Sequence, residues 1–157
     1  MAALQEGAKA PDFTLDGSGG KFALSDALKQ HRFVILAFFP AAFSSVCTAE
    51  MTLYQEVQGE FARLGASIVG ISVDSKYVQT EFAQKNNIQF PLLADFHPKG
   101  AVAQKYGVMR DDAGAAERAL FIVDSGGVIR YGYVSEVGVN PGADRLLDRL
   151  EALQGSK

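Results

Sequence analysis

One thiol stands in this sequence, Cys47, within the segment Phe38-Phe-Pro-Ala-Ala-Phe-Ser-Ser-Val-Cys-Thr-Ala-Glu50. A cysteine becomes a strong nucleophile as a thiolate, and free main-chain N–H groups at the start of a helix favour that anion. The apolar positions Tyr54, Val57, Phe61 and Leu64 recur at helical spacing, and Gly65 supplies a stop. They predict one helix over residues 47–64, with the sulfur in its first turn. Ser44, three residues upstream, offers a hydroxyl and main-chain donors to the same spot. The pattern suits nucleophilic chemistry; the competing reading is a buried cysteine serving as a small hydrophobe. A single cysteine excludes an intrachain disulfide, a Cys-x-x-Cys redox pair and an all-cysteine metal cage.

Other reactive groups are sparse. A cysteine hydrolase needs a histidine base, yet His31 follows a predicted helix and His97 sits in a Phe96-His97-Pro98 loop. Both read as solvated, and two histidines with one cysteine make a poor metal set, so no metal or cofactor is expected. Arg110 lies in a charged loop and Arg130 alternates with apolar residues on a strand, which gives it an outward face. Asp124, ahead of Ser125-Gly-Gly127, reads as a turn former. Phe43 is either core or the apolar wall of a site beside the thiol.

The elements that must position Cys47 follow from the apolar pattern. FVILAFF, residues 33–39, is a continuous apolar run stopped by Pro40, as expected of a central strand buried on both faces. Residues 13–15 and 21–23 flank a glycine-rich turn and predict a short hairpin. Ser25 and Asp26 are candidates to cap a helix ending near Gln30. Residues 67–74 predict a second buried strand, with Ser75 capping a helix to about Asn87. Residues 91–94 predict a third strand, and a helix is expected from about Gly100 to Tyr106. Residues 119–124 and 128–134 predict an antiparallel hairpin. A last helix runs from about Gly142 to Leu153, with Leu146, Leu147, Leu150 and Leu153 in one stripe. Alternating strands and helices with a closing hairpin imply an α/β layer structure around a mixed β-sheet. Neither a Gly-x-Gly-x-x-Gly turn nor a P-loop follows the first buried strand, which disfavours a nucleotide-binding domain.

At 157 residues, 48% apolar and 21% charged, the chain is expected to form one domain over residues 1–157. A net charge of −3 without a basic block argues against nucleic acid or an anionic membrane as partner. Residues 1–12 lack the basic start and long apolar middle of a signal peptide, which favours the cytoplasm.

Pro40-x-x-x-Ser44-x-x-Cys47 resembles the peroxiredoxin signature Pro-x-x-x-Thr/Ser-x-x-Cys, and Cys47-Thr-Ala-Glu50 extends it. The resemblance continues in order through APDFTL (10–15), FPLLAD (90–95), AVAQKYGV (101–108) and ERALFIVDSGGVIRY (117–131). With one cysteine, the pattern is most similar to the alkyl hydroperoxide reductase E subgroup. The resemblance implies a thioredoxin-like fold, a mixed β-sheet flanked by helices, and thiol-dependent reduction of hydrogen peroxide or an alkyl hydroperoxide. It assigns Cys47 as the nucleophile that becomes a sulfenic acid, and Pro40 as its shield. Ser44 would hydrogen-bond the peroxide or the thiolate, and Arg118 would stabilise thiolate and polarise peroxide, held in place by Glu50. Ser44 stands where threonine is the commoner residue, so the hydroxyl remains without the β-branch that restricts its rotamer.

Without a second cysteine, the sulfenic acid must be reduced by an external low-molecular-weight thiol or a redoxin protein. The resemblance also suggests a homodimer, with Phe43, Phe96 and Met109 as candidate contacts. Two other readings share these residues. Ser44-Ser-Val-Cys47 matches a Cys-x-x-Cys site with its first cysteine replaced by serine, as in glutathione-linked enzymes, although the exposed nucleophile would then fall at Ser44. A redox sensor or holdase would use Cys47 oxidation once instead of turning peroxide over.

Overall fold

The computed structural model describes residues 2–155. Its organising element is β3 (Phe33–Phe38), the continuous apolar run, with every residue buried. Side chains alternate across a strand, so a strand apolar at every position needs hydrocarbon on both faces. Ile35, Ala37 and Phe39 join one core with Met51, Tyr54, Phe61, Phe82, Leu146 and Leu150. Val34, Leu36 and Phe38 join a second with Phe13, Leu24, Val102, Tyr106 and Phe121. Complete burial of each large member of β3 is worth about 1.5–3 kcal/mol.

β3 is the middle strand of five. On one side it pairs in parallel with β4 (Ala66–Ser72), which in turn pairs in parallel with β5 (Leu92–Ala94). On the other side it pairs antiparallel with β8 (Arg118–Asp124), which continues through the Ser125-Gly-Gly127 turn into β9 (Ile129–Ser135). The mixed sheet thus has the order β5-β4-β3-β8-β9. One face carries α2 (Ser45–Glu56), α3 (Gln58–Arg63), α4 (Lys76–Lys85) and α6 (Asp144–Ala152); the other carries α1 (Leu24–Gln30) and α5 (Ala101–Lys105). The short hairpin of β1 (Thr14–Leu15) and β2 (Phe22–Ala23) forms as expected.

Four expectations need correction. The helix predicted over residues 47–64 starts at Ser45 and divides at Val57, whose φ of −99° and ψ of 10° leave the helical region. Val57 and Gly59 are poor helix formers, so the apolar stripe continues while the backbone bends. α1 begins at Leu24, and neither Ser25 nor Asp26 caps it; the Ser25 N–H donates instead to the distant Asp12 carboxylate at 3.0 Å. Arg110, expected in a loop, lies in β6 (Met109–Arg110), paired antiparallel with β7 (Ala115–Ala116). Ser75 caps α4 as expected, its hydroxyl accepting the Val78 N–H. That helix ends at Lys85, short of Asn87, whose φ is +53°.

Candidate active site

The site is built at the carboxyl end of β3. Phe39 still donates its N–H to the Ile71 carbonyl at 2.9 Å, and Pro40, with no N–H to give, ends the ladder. The chain then turns through Ala41–Ser44. The Ala42 N–H donates to the Asp74 carboxylate at 2.8 Å, and the Phe43 ring lies 5.1 Å from that of Phe82. Phe43 has a φ of +70°, a conformation that costs a side-chain-bearing residue about 1–2 kcal/mol. That turn redirects the chain so that Ser44, in an extended conformation, becomes the N-cap of α2.

Cys47 is the third residue of α2 and is fully buried. Ser44 makes no side-chain cap bond to the first turn, so no capping side chain offsets the positive end of the helix dipole, within whose first turn Cys47 lies. Arg118 arrives from the other side of the sheet. Phe38 pairs with Ala119, so Arg118 lies one residue beyond the end of β3, beside the chain entering α2. Its Nη1 is 3.3 Å from Cys47 Sγ and donates to Glu50 Oε1 at 2.7 Å. Its Nε and Nη2 donate to the Val137 carbonyl at 2.9 and 2.6 Å. The guanidinium is therefore held at both ends, with one N–H edge facing sulfur.

Glu50 follows Cys47 by three residues and shares its helix face. Burial pushes its carboxyl above the ordinary value, opposed by hydrogen bonds from Arg118 and Tyr54. Tyr54, four residues further on, donates its hydroxyl to Glu50 Oε2 at 2.8 Å and lies 3.2 Å from the Gly142 carbonyl. Burial and the Glu50 charge push the phenol upward, so it stays a neutral donor. For Arg118, burial acts downward, but the bonds and charges of Glu50 and Cys47 raise it overall. Arg118 thus places a permanent positive charge against sulfur in a water-poor site, where fixed charges act most strongly.

The structure thus brings Cys47, Glu50 and Arg118 together. Pro40 is half-buried at the start of the same loop. Ser44 is exposed, and its hydroxyl donates to the Ala41 carbonyl at 2.9 Å, while its own carbonyl accepts from the Thr48 N–H and hydroxyl. Arg110 pairs with Glu117 at 3.6 Å and Arg130 with Asp124 at 3.1 Å. Asp124 is also the turn former expected, accepting the Gly126 and Val128 N–H groups. His31 and His97 are both exposed. Phe43 and Phe96 are exposed as well, and Met109 is half-buried against Gly100. A groove of about 460 Å³ lined by Lys21, Asp26, Gln30, His31 and Ile68 contains none of the thiol cluster. Sequence reasoning placed Tyr54 only in the apolar stripe; its spacing of four from Glu50 was the available signal. Val137 and Gly142 act through main-chain carbonyls, which residue type does not reveal.

A mixed sheet flanked by helices, with an arginine and a thiol meeting at the start of a long helix, defines a thioredoxin-like thiol enzyme. Comparison with known proteins agrees: the AhpC/TSA family pattern matches residues 7–132, and the chain belongs to that family. It is 36% identical over 135 residues to alkyl hydroperoxide reductase E of Mycobacterium tuberculosis, covering 86% of this chain and 88% of that protein. It is 34% identical over 161 residues to peroxiredoxin-2 of Mus musculus, covering 96% of this chain and 79% of that one. Among solved structures, peroxidoxin BcpB of Mycobacterium tuberculosis superposes with a TM-score of 0.87 at 33% identity, covering 96% of this chain and 98% of that one. AhpC of Enterococcus faecalis gives a TM-score of 0.87 at 32% identity, covering 99% and 94%. The protein is accordingly a thiol peroxidase of the peroxiredoxin type, and its one cysteine fits a one-cysteine mechanism.

Proposed function

We propose that this protein reduces hydrogen peroxide and organic hydroperoxides through Cys47 and is regenerated by an external low-molecular-weight thiol or a redoxin protein. The observation that carries the reading is the Arg118 Nη1 held 3.3 Å from Cys47 Sγ by a buried carboxylate. The name of the mycobacterial relative, an alkyl hydroperoxide reductase, supports the organic substrates. The Cys47 thiolate attacks one peroxide oxygen; the S–O bond forms as the O–O bond breaks. The departing oxygen takes a proton and leaves as water or an alcohol, and Cys47 becomes a sulfenic acid. Arg118 stabilises the thiolate and the charge that develops on the departing oxygen. Ser44 reorients its hydroxyl from Ala41 to the peroxide, Pro40 shields the sulfur from water, and Glu50 holds Arg118. One external thiol then attacks the sulfenic sulfur, expelling water and forming a mixed disulfide. A second releases the Cys47 thiol and leaves as the external disulfide. The cycle takes no cofactor and no metal.

We assign residues 1–157 to one domain that acts in the cytoplasm, as a homodimer contacting through Phe43, Phe96 and Met109. The exposure of Phe43 and Phe96 supports that contact. Neither nucleic acid nor membrane is a partner in this reading; among the described residues no helix is long and apolar enough to cross a membrane. The test offers one equivalent of peroxide and follows Cys47 by mass spectrometry. One added oxygen on Cys47 is expected, formed faster than on free cysteine. A panel of thiols and redoxins should then restore the thiol and sustain turnover. A Cys47 that stays reduced, or that reacts no faster than free cysteine, refutes the peroxidase reading. Oxidation without recovery by any reductant identifies a one-shot sensor.

A further inference from the structure

Tyr54 carries a polar atom that the peroxidase chemistry above leaves without a task. Its side chain is fully buried on α2, with its ring 6.3 Å from that of Phe61. Phenylalanine would fill nearly the same space, so the hydroxyl is separable from the packing. That hydroxyl meets Glu50 Oε2 at 2.8 Å and the Gly142 carbonyl at 3.2 Å. With one proton to give, it favours the charged acceptor at the shorter distance. The two oxygens of Glu50 are thus divided between two donors, Oε1 to Arg118 and Oε2 to Tyr54. The Gly142 contact reaches the same chain segment whose Val137 carbonyl accepts Nε and Nη2 of Arg118.

We propose that Tyr54 is a positioning residue for the peroxide reaction: its hydroxyl holds Glu50 as the anionic acceptor that fixes Arg118 beside Cys47. Glu50 is fully buried, and a carboxylate out of water survives only while its oxygens are hydrogen-bonded. With the phenol proton in place, Arg118 has a fixed anion on one side and the Val137 carbonyl on the other. Its remaining N–H edge must face sulfur. Without that proton, burial is unchanged and one of two stabilising bonds is gone, so Glu50 takes up a proton at higher pH. A neutral Glu50 no longer anchors the guanidinium. The titratable or charged groups acting on Glu50 are Tyr54 from α2 and Arg118 from β8, with Cys47 on the far side of the Arg118 guanidinium and Tyr131 of β9 beyond the phenol. None of them supplies a second donor to Oε2.

This inference rests on the peroxidase reading, and the experiment separates the two. The rate of Cys47 oxidation by hydrogen peroxide is measured against pH for the full chain and for Tyr54→Phe, Glu50→Gln and the double variant. The unmodified chain should react faster than free cysteine; if it does not, the peroxidase reading itself fails. For Tyr54→Phe the deficit should be roughly tenfold or more at the acid end of the range, the effect of one bond to a charged group, and should close as pH rises. In the Glu50→Gln background the Tyr54→Phe change should add no pH-dependent deficit, because nothing remains at position 50 to ionise. Replacing Tyr54 with 3-fluorotyrosine keeps the volume and strengthens the donor, so its acid limb should move to lower pH. A deficit equal at every pH, the absence of any deficit, or a pH-dependent deficit that survives Glu50→Gln overturns the proposal. So does an acid limb that 3-fluorotyrosine leaves in place.

Discussion

Replacing Arg118 with methionine keeps a flexible hydrocarbon stem and removes the guanidinium, which makes two separable demands on the structure. The first concerns stability. Arg118 and Glu50 are 2% and 0% exposed and 2.7 Å apart, so the variant leaves a buried carboxylate without its cation. Breaking such a pair costs about 3–5 kcal/mol. Burial already pushes Glu50 upward, so it escapes part of this cost by taking a proton. We expect a loss near the lower end, about 3 kcal/mol in urea unfolding at neutral pH. The second demand concerns rate. The Nη1 donor beside Sγ acts on the thiolate and on charge developing in the peroxide, and losing one such preorganised donor costs about 10²–10³ in rate. Stopped-flow oxidation of Cys47 by hydrogen peroxide measures that loss directly. The double variant Arg118→Met/Glu50→Gln tells the two demands apart: removing the orphaned carboxylate should recover most of the stability and none of the rate. A single variant that oxidises within about threefold of the unmodified protein refutes the reasoning, as does a double variant that regains rate together with stability.

Asp95 tests burial against pH. Its carboxylate accepts the Val102 and Ala103 N–H groups at 3.0 and 2.9 Å, and burial, opposed by those bonds, leaves its carboxyl above the ordinary value. The folded protein therefore binds this proton before the unfolded chain does as pH falls. Asp95 adds stability as pH drops through its raised value, and the gain is complete below the ordinary carboxylate value. Unfolding free energies of the unmodified protein and Asp95→Asn should diverge in that direction between neutral and acid pH; a constant difference contradicts the assignment. Gly70 tests packing. A Cβ there would meet Leu92 Cδ2 at 2.7 Å and Phe39 Cε1 at 3.1 Å, so Gly70→Ala should cost about 1–3 kcal/mol in denaturant unfolding. A loss below about 0.5 kcal/mol would mean that the strand pair yields more easily than packed interiors do.

The elements that carry Cys47 are legible in local residue patterns. FVILAFF had to be a strand covered on both faces, Pro40 had to end its ladder, and the apolar stripe after it had to be helical. Cys47 and Glu50 were assignable to one helix face from their spacing of three, and Tyr54 from its spacing of four beyond Glu50. These are local facts, fixed by periodicities of two and 3.6 residues and by the missing N–H of proline. Within the sequence only the family resemblance distinguishes Arg118, because residue type does not separate it from Arg110 and Arg130. Only the pairing of Phe38 with Ala119 carries it 71 residues back to the thiol, and that register is set by side-chain burial over the whole sheet. The tasks of Tyr54, Val137 and Gly142 were likewise hidden. A phenol in an apolar stripe reads as core, and a carbonyl carries no letter in a sequence. What the buried polar groups share is that each needs a partner once water is gone, and the tertiary structure alone decides which partner lies within reach.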